Sequence, residues 1–196
     1  FDPGVGTSNL VSNGQLDAFA LKLDLDGAFQ WVKNFGAGGN DSAKSLAVDS
    51  SGVYVTGGFS GTVNFNSSGS ANLSTPDVNT VNGYLVKLDG NGAYQWAHKV
   101  GDLGSGVALD TSASYVHITG HFSGTNDFDP GAGTSNSSSL GSTDAYLLTL
   151  NIDGTFVRVA RFGNFYTDQG RNITVDSSGN VLATGFFTTS ANGPVD

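Results

Sequence analysis

Phe1-Asp2-Pro3-Gly4-Val5-Gly6-Thr7-Ser8-Asn9 returns almost letter for letter as Phe128-Asp129-Pro130-Gly131-Ala132-Gly133-Thr134-Ser135-Asn136. Between them stands a worn copy, Phe65-Asn66-Ser67-Ser68-Gly69-Ser70-Ala71-Asn72. The copies start about 64 residues apart, so the chain reads as a tandem array. Its three units are residues 1–64, 65–127 and 128–196.

Other landmarks keep the same register. Ala18-Phe19-Ala20-Leu21-Lys22-Leu23-Asp24 aligns with Gly83-Tyr84-Leu85-Val86-Lys87-Leu88-Asp89 and with Ala145-Tyr146-Leu147-Leu148-Thr149-Leu150-Asn151. Phe29-Gln30-Trp31 aligns with Tyr94-Gln95-Trp96 and fades to Phe156-Val157-Arg158. Val48-Asp49-Ser50-Ser51-Gly52 returns as Val175-Asp176-Ser177-Ser178-Gly179. Val55-Thr56-Gly57-Gly58-Phe59 returns as Ile118-Thr119-Gly120-His121-Phe122 and Ala183-Thr184-Gly185-Phe186-Phe187.

Each period predicts four short strands, because β-branched and aromatic residues are frequent and apolar and polar residues tend to alternate. In the first copy these are residues 18–23, 28–35, 45–48 and 53–59. Asp24-Leu25-Asp26-Gly27 and Asp49-Ser50-Ser51-Gly52 supply the turns, since Asp and Gly tolerate left-handed backbone angles. No segment carries a helical period. Tandem four-stranded units without helices predict an all-β chain of β-propeller blades.

The recurring "VDSSG", "VTGGFSGT" and "AFALKLD" motifs resemble the SBBP family of propeller repeats, found in bacterial extracellular proteins. The resemblance covers all three copies. The chain is also similar to the NHL repeat, whose "AVDSSG" strand lies beside the central channel. That resemblance implies that residues 45–48 are innermost, with 53–59, 84–88 and 94–100 following outward. The chain then opens on the outer two strands of one blade, over residues 18–35. Two full blades follow, and the inner two strands of another close it, over residues 172–187.

Composition narrows the function. A net charge of −9 with eight Lys and Arg residues argues against a nucleic-acid footprint, which needs clustered basic residues. Charged residues are only 13% of the chain, so the surface is expected to be rich in Ser, Thr, Asn and Gly. Cys is absent, which excludes disulfides and thiolate metal sites. No apolar run has the length of a membrane helix. Met is also absent, which predicts a piece processed from something longer.

The repeated acidic loops are the candidate metal site: Asp127 and Asp129, with Asp2 as counterpart, offer hard oxygen ligands suited to Ca²⁺. The competing reading is a Pro-Gly turn whose Asp caps backbone N–H groups. No other cofactor is expected. The Asp-x-Asp-Gly turns lack the rest of a calcium loop and are read as hairpins. Trp31 and Trp96 suit either sugar stacking or packing between blades, and the alternation with Phe29, Phe35, Tyr94 and Val100 favours packing. His98, His117 and His121 follow no metal spacing shared by the copies. No nucleophile elbow, phosphate loop or zinc helix is present, so no catalytic residue is assigned.

The expected function is therefore a non-enzymatic structural or adhesive module, extracellular or on the cell surface. The alternative is a propeller that recognises glycan or peptide. Half-blades at both ends leave strand edges open at residues 18–23 and 181–187, and open edges recruit strands. The expected partners are other copies of the repeat, in a homo-oligomer. Two chains closing a six-bladed ring is one geometry; an unclosed filament is the other, favoured by the low charge.

Overall fold

A computed structural model describes residues 1–110, 112 and 114–189 of the chain. Residues 190–196, the tail of the third unit, lie outside the described residues. The described chain is all-β and contains sixteen strands.

Strands β3 (Ser42–Asp49), β4 (Gly52–Ser60), β7 (Val81–Leu88) and β8 (Tyr94–Lys99) form one four-stranded antiparallel sheet in that order. Strands β9 (Leu103–Leu109), β10 (Tyr115–Phe122), β13 (Asp144–Asn151) and β14 (Phe156–Phe162) form its twin. These are the two complete blades, here the first and the second. On the N-terminal side stands a two-stranded half-blade, β1 (Ala18–Leu23) with β2 (Phe29–Phe35). On the C-terminal side stands another, β15 (Gln169–Val175) with β16 (Val181–Phe186). The strand order and the split agree with the sequence reading.

Irregularities repeat with the same period, so they belong to the design of the unit. The innermost pairing skips Lys44 between Ala43 and Ser45, Ser105 between Gly104 and Gly106, and Arg171 between Gly170 and Asn172. The outer pairing shifts between Lys22 and Leu23, between Lys87 and Leu88, and between Thr149 and Leu150. Such bulges bend and twist a strand locally.

Two features depart from expectation. The innermost strand of the first blade begins at Ser42, three residues before the expected start at Ser45. Its first residues lie beyond the bulge at Lys44, which breaks the alternation that marks a strand. Two short hairpins were also missed: β5 (Thr62–Asn64) with β6 (Asn72–Ser74), and β11 (Thr125–Asp127) with β12 (Asn136–Ser138). Three residues are too few to show a period. The Asp-Pro-Gly motif is the tip of the second of these hairpins.

The hairpin turns between blade strands are built alike. Gly27, Gly92, Gly154 and Gly179 all have positive φ, and each donates its N–H to the carbonyl three residues back. Asp24, Asp89 and Asp176 cap the turns, each accepting two backbone N–H bonds on Oδ1.

Candidate functional site

The most elaborate chemistry recurring in the described residues lies where one blade meets the next. Trp31 on β2 donates its indole N–H to the carbonyl of Gly90, in the turn of the first complete blade, at 3.2 Å. Lys22 on β1 donates to the same oxygen at 2.7 Å. One period later, Trp96 and Lys87 both donate to the carbonyl of Ile152, at 3.3 and 3.1 Å. A Lys–Trp pair on one blade thus latches the turn of the following blade. The glycine two residues further on lies against the indole. A Cβ on Gly92 would stand 2.9 Å from Trp31 Cδ2, and one on Gly154 would stand 3.1 Å from Trp96 Cδ2. That face of each tryptophan, a candidate for sugar stacking, is occupied by protein.

Behind the latch lies an aromatic box. In the first complete blade it comprises Phe59, Phe65 and Tyr84, closed by Phe35 of the preceding half-blade. In the second it comprises Phe122, Phe128 and Tyr146, closed by Val100 of the preceding blade. All eight are buried, none more than 3% exposed. The ring of Tyr84 lies 5.0 Å from that of Phe65, and Tyr146 lies 5.0 Å from Phe128. Tyr146 also donates its hydroxyl towards the carbonyl of Val100 across the junction and towards that of Leu103 in its own blade. Each box was legible as recurring letters, but its closure across blades was not.

A third contact accompanies the box. Thr56 donates to the Tyr84 carbonyl at 2.6 Å, and Thr119 to that of Tyr146 at 2.8 Å. The next blade's innermost strand presses on each hydroxyl. A Cβ on Gly104 would meet Thr56 Oγ1 at 1.9 Å, and one on Gly170 would meet Thr119 Oγ1 at 2.1 Å.

Carboxylates tie the loops between blades. Buried Asp41 accepts from Ala37 N–H and Ser60 N–H, and buried Asp168 accepts from Asn164 N–H and Thr188 N–H. Burial raises the Asp41 carboxyl above its ordinary range, against the lowering by these backbone bonds. Asp144, also buried, pairs with Arg161.

Of the acidic loop residues named from sequence, Asp127 and Asp129 share one hairpin and Asp2 lies on another loop. Asp127 ends β11 and accepts on Oδ1 from the N–H groups of Asp129 and Ser135. Those two bonds hold its carboxyl below the ordinary range. Asp129 accepts from Gly131 N–H, and Asp2 accepts from Gly4 N–H. The same geometry thus recurs in two copies, with Asp2 on a separate loop from Asp127 and Asp129. Among the described residues, no three His, Cys, Asp or Glu side chains are grouped so as to hold a metal ion. Of the histidines, His117 is buried against Thr149 Oγ1 at 3.0 Å, and His98 stacks on Trp96.

No family model matches the chain. The sequence is 28% identical over 212 aligned residues to an uncharacterized WD repeat-containing protein of Acanthamoeba polyphaga mimivirus, an alignment that takes in 95% of this chain. The chain spans 15% of the length of that curated relative. Similarity to a WD repeat-containing protein agrees with the four-stranded meanders, and the fold is that of β-propeller blades. No helix in the described residues is long and apolar enough to cross a membrane.

Proposed function

We propose that the chain is a non-enzymatic interaction module, a run of SBBP-type propeller repeats serving a structural or adhesive role in an extracellular or cell-surface protein. One observation carries this reading: the recurring polar and aromatic groups point at the neighbouring blade. The Lys–Trp pairs bond to turn carbonyls of the following blade, and the aromatic boxes close across junctions. Side chains that recur for packing leave the exposed blade surfaces to contact partners. A relative described as WD repeat-containing supports a propeller scaffold. The low charge and the Ser, Thr, Asn and Gly content support an extracellular surface.

The test is a panel of hydrolase substrates, with a glycan array beside it. The scaffold reading expects no turnover above buffer. Robust turnover that followed the protein through purification overturns it, and selective glycan capture moves the chain to the ligand-binding alternative.

A further inference from the structure

The turn that receives the first latch is Asp89-Gly90-Asn91-Gly92, between β7 and β8. Its equivalents are Asp24-Leu25-Asp26-Gly27 and Asn151-Ile152-Asp153-Gly154, so Asn91 stands where the other two copies carry aspartate. Asn91 is exposed and is followed by a residue without a side chain. That pairing permits a reaction that the aspartate turns undergo more slowly. The Gly92 nitrogen attacks Asn91 Cγ, the Cγ–Nδ2 bond breaks, ammonia leaves, and a five-membered succinimide ring remains. Water then opens the ring at either carbonyl, giving aspartate or isoaspartate. The attack needs the Gly92 nitrogen free and deprotonated. In the closed turn its N–H donates to the Asp89 carbonyl at 3.0 Å. The turn is also held shut from the neighbouring half-blade. Lys22 and Trp31 bond to the Gly90 carbonyl at 2.7 and 3.2 Å, and a Cβ on Gly92 would stand 2.9 Å from both Trp31 Cδ2 and Lys33 Cε.

We infer that Asn91 is a site of spontaneous deamidation guarded by the Lys22–Trp31 latch, and that its conversion to isoaspartate makes release of the first junction permanent. Slow chemistry on a briefly opened segment follows the population of the open state. The latch lowers that population, because the turn cannot open while Gly90 and Gly92 are held against the half-blade. The two products differ in what they allow afterwards. Aspartate keeps the length of the main chain. Asp153 shows that this position of a latched turn holds a carboxylate: Gly154 still donates to the Asn151 carbonyl at 2.9 Å, and Trp96 and Lys87 still reach Ile152. Isoaspartate routes the main chain through Cβ and Cγ, adding one methylene between Asn91 Cα and Gly92. The Gly92 N–H then loses its place over the Asp89 carbonyl, and Gly92 leaves a seat against the indole that has no room for an added atom. A second Asn-Gly pair serves as an internal control. Asn82-Gly83 lies in β7, where Gly83 is buried and its N–H is bonded to the Gly101 carbonyl at 3.0 Å.

The test ages the purified chain at mildly alkaline pH and follows both asparagines, which fall in separate tryptic peptides, residues 45–87 and 88–99. Fragmentation mass spectrometry reads deamidation at each, and isoaspartate methyltransferase labelling identifies the isomer. Conversion is expected at Asn91 while Asn82 stays intact. In a chain carrying Lys22→Met and Trp31→Phe it is expected to run at least about fivefold faster, the factor given by the net contribution of one hydrogen bond. Backbone hydrogen exchange over residues 18–35 is expected to quicken in the isoaspartate-containing fraction. It is expected to stay unchanged in aged Asn91→Gln, whose longer side chain cyclises far more slowly, and in Asn91→Asp made directly. An unchanged rate in the latch variant, or conversion at Asn82 as fast as at Asn91, overturns the inference. So does isoaspartate at Asn91 that leaves exchange over residues 18–35 as it was, or an Asn91 that stays intact with and without the latch. Circular dichroism of the latch variant confirms that the complete blades remain folded.

Discussion

The indole N–H of Trp96 lies 3.3 Å from the carbonyl oxygen of Ile152, which sits in the turn of the next blade. Lys87 Nζ reaches the same oxygen at 3.1 Å. Two donors on one acceptor make the junction redundant, and this sets what single substitutions do. Trp96→Phe keeps most of the apolar ring and leaves the carbonyl bonded to Lys87. It is expected to lower stability by about 0.5–1 kcal/mol. Trp96→Phe with Lys87→Met leaves the carbonyl bare, and the loss exceeds the sum of the two singles by about 1 kcal/mol. Urea denaturation of the four proteins checks this, and strict additivity contradicts the shared latch.

Tyr84 and Tyr146 occupy equivalent positions but differ at the hydroxyl. Tyr146 donates towards two carbonyls, whereas the Tyr84 hydroxyl is buried with no partner among the described residues. Burial raises both phenols above their ordinary range. Tyr146→Phe is expected to cost about 1–2 kcal/mol, while Tyr84→Phe is neutral or stabilising. Melting curves that rank the two variants the other way contradict the assigned bonds.

Gly120 is opposed by backbone. A Cβ there would stand 1.8 Å from the Leu103 carbonyl oxygen, so Gly120→Ala must force β9 and β10 apart. The expected loss is about 3 kcal/mol. Among the described residues nothing lies within 4 Å of a Cβ on Gly90, and Gly90→Ala is expected to change stability by less than about 0.5 kcal/mol. Chemical denaturation of both tests the close strand approach.

Burial holds His98, His117 and His121 below the ordinary imidazole value of 6.5. The unfolded chain therefore takes up protons first as the pH falls. The histidines' contribution is whole above about pH 6.5 and is lost progressively below it. Asp127, Asp153 and Asp176, held low by hydrogen bonds, add a second decline below about pH 4. Asp41, raised by desolvation, acts in the opposite direction over the carboxylate range. Denaturation midpoints at pH 7.5 and 5.5 should differ, with the lower at pH 5.5. An equal or higher midpoint at pH 5.5 contradicts the buried neutral imidazoles.

The blade frame was legible because it repeats. Trp31 and Trp96, or Phe59 and Phe122, recur about 64 residues apart, and any strand prediction must place such pairs equivalently. The latch was half legible. Lys22 and Lys87 recur, but their acceptors are main-chain carbonyls on Gly90 and Ile152, residue types that share nothing. The closure of the box by Phe35 in one junction and Val100 in the other was hidden for a related reason. Only volume matters at that position, and the contact joins neighbouring blades rather than neighbouring strands. The hairpins at 62–74 and 125–138 were too short to show alternation, and the backbone N–H groups that Asp127 accepts in the second belong to Asp129 and Ser135, which no spacing in the sequence marks.

The central claim is that the recurring aromatic and Lys–Trp groups join each blade to the next. A double-mutant cycle of Phe35→Leu and Phe65→Leu, whose rings stack at 5.6 Å across the first junction, followed by urea denaturation, measures it most directly. The expected coupling is about 0.5–1.5 kcal/mol, the double variant losing less than the sum of the two singles. Strictly additive losses contradict the account.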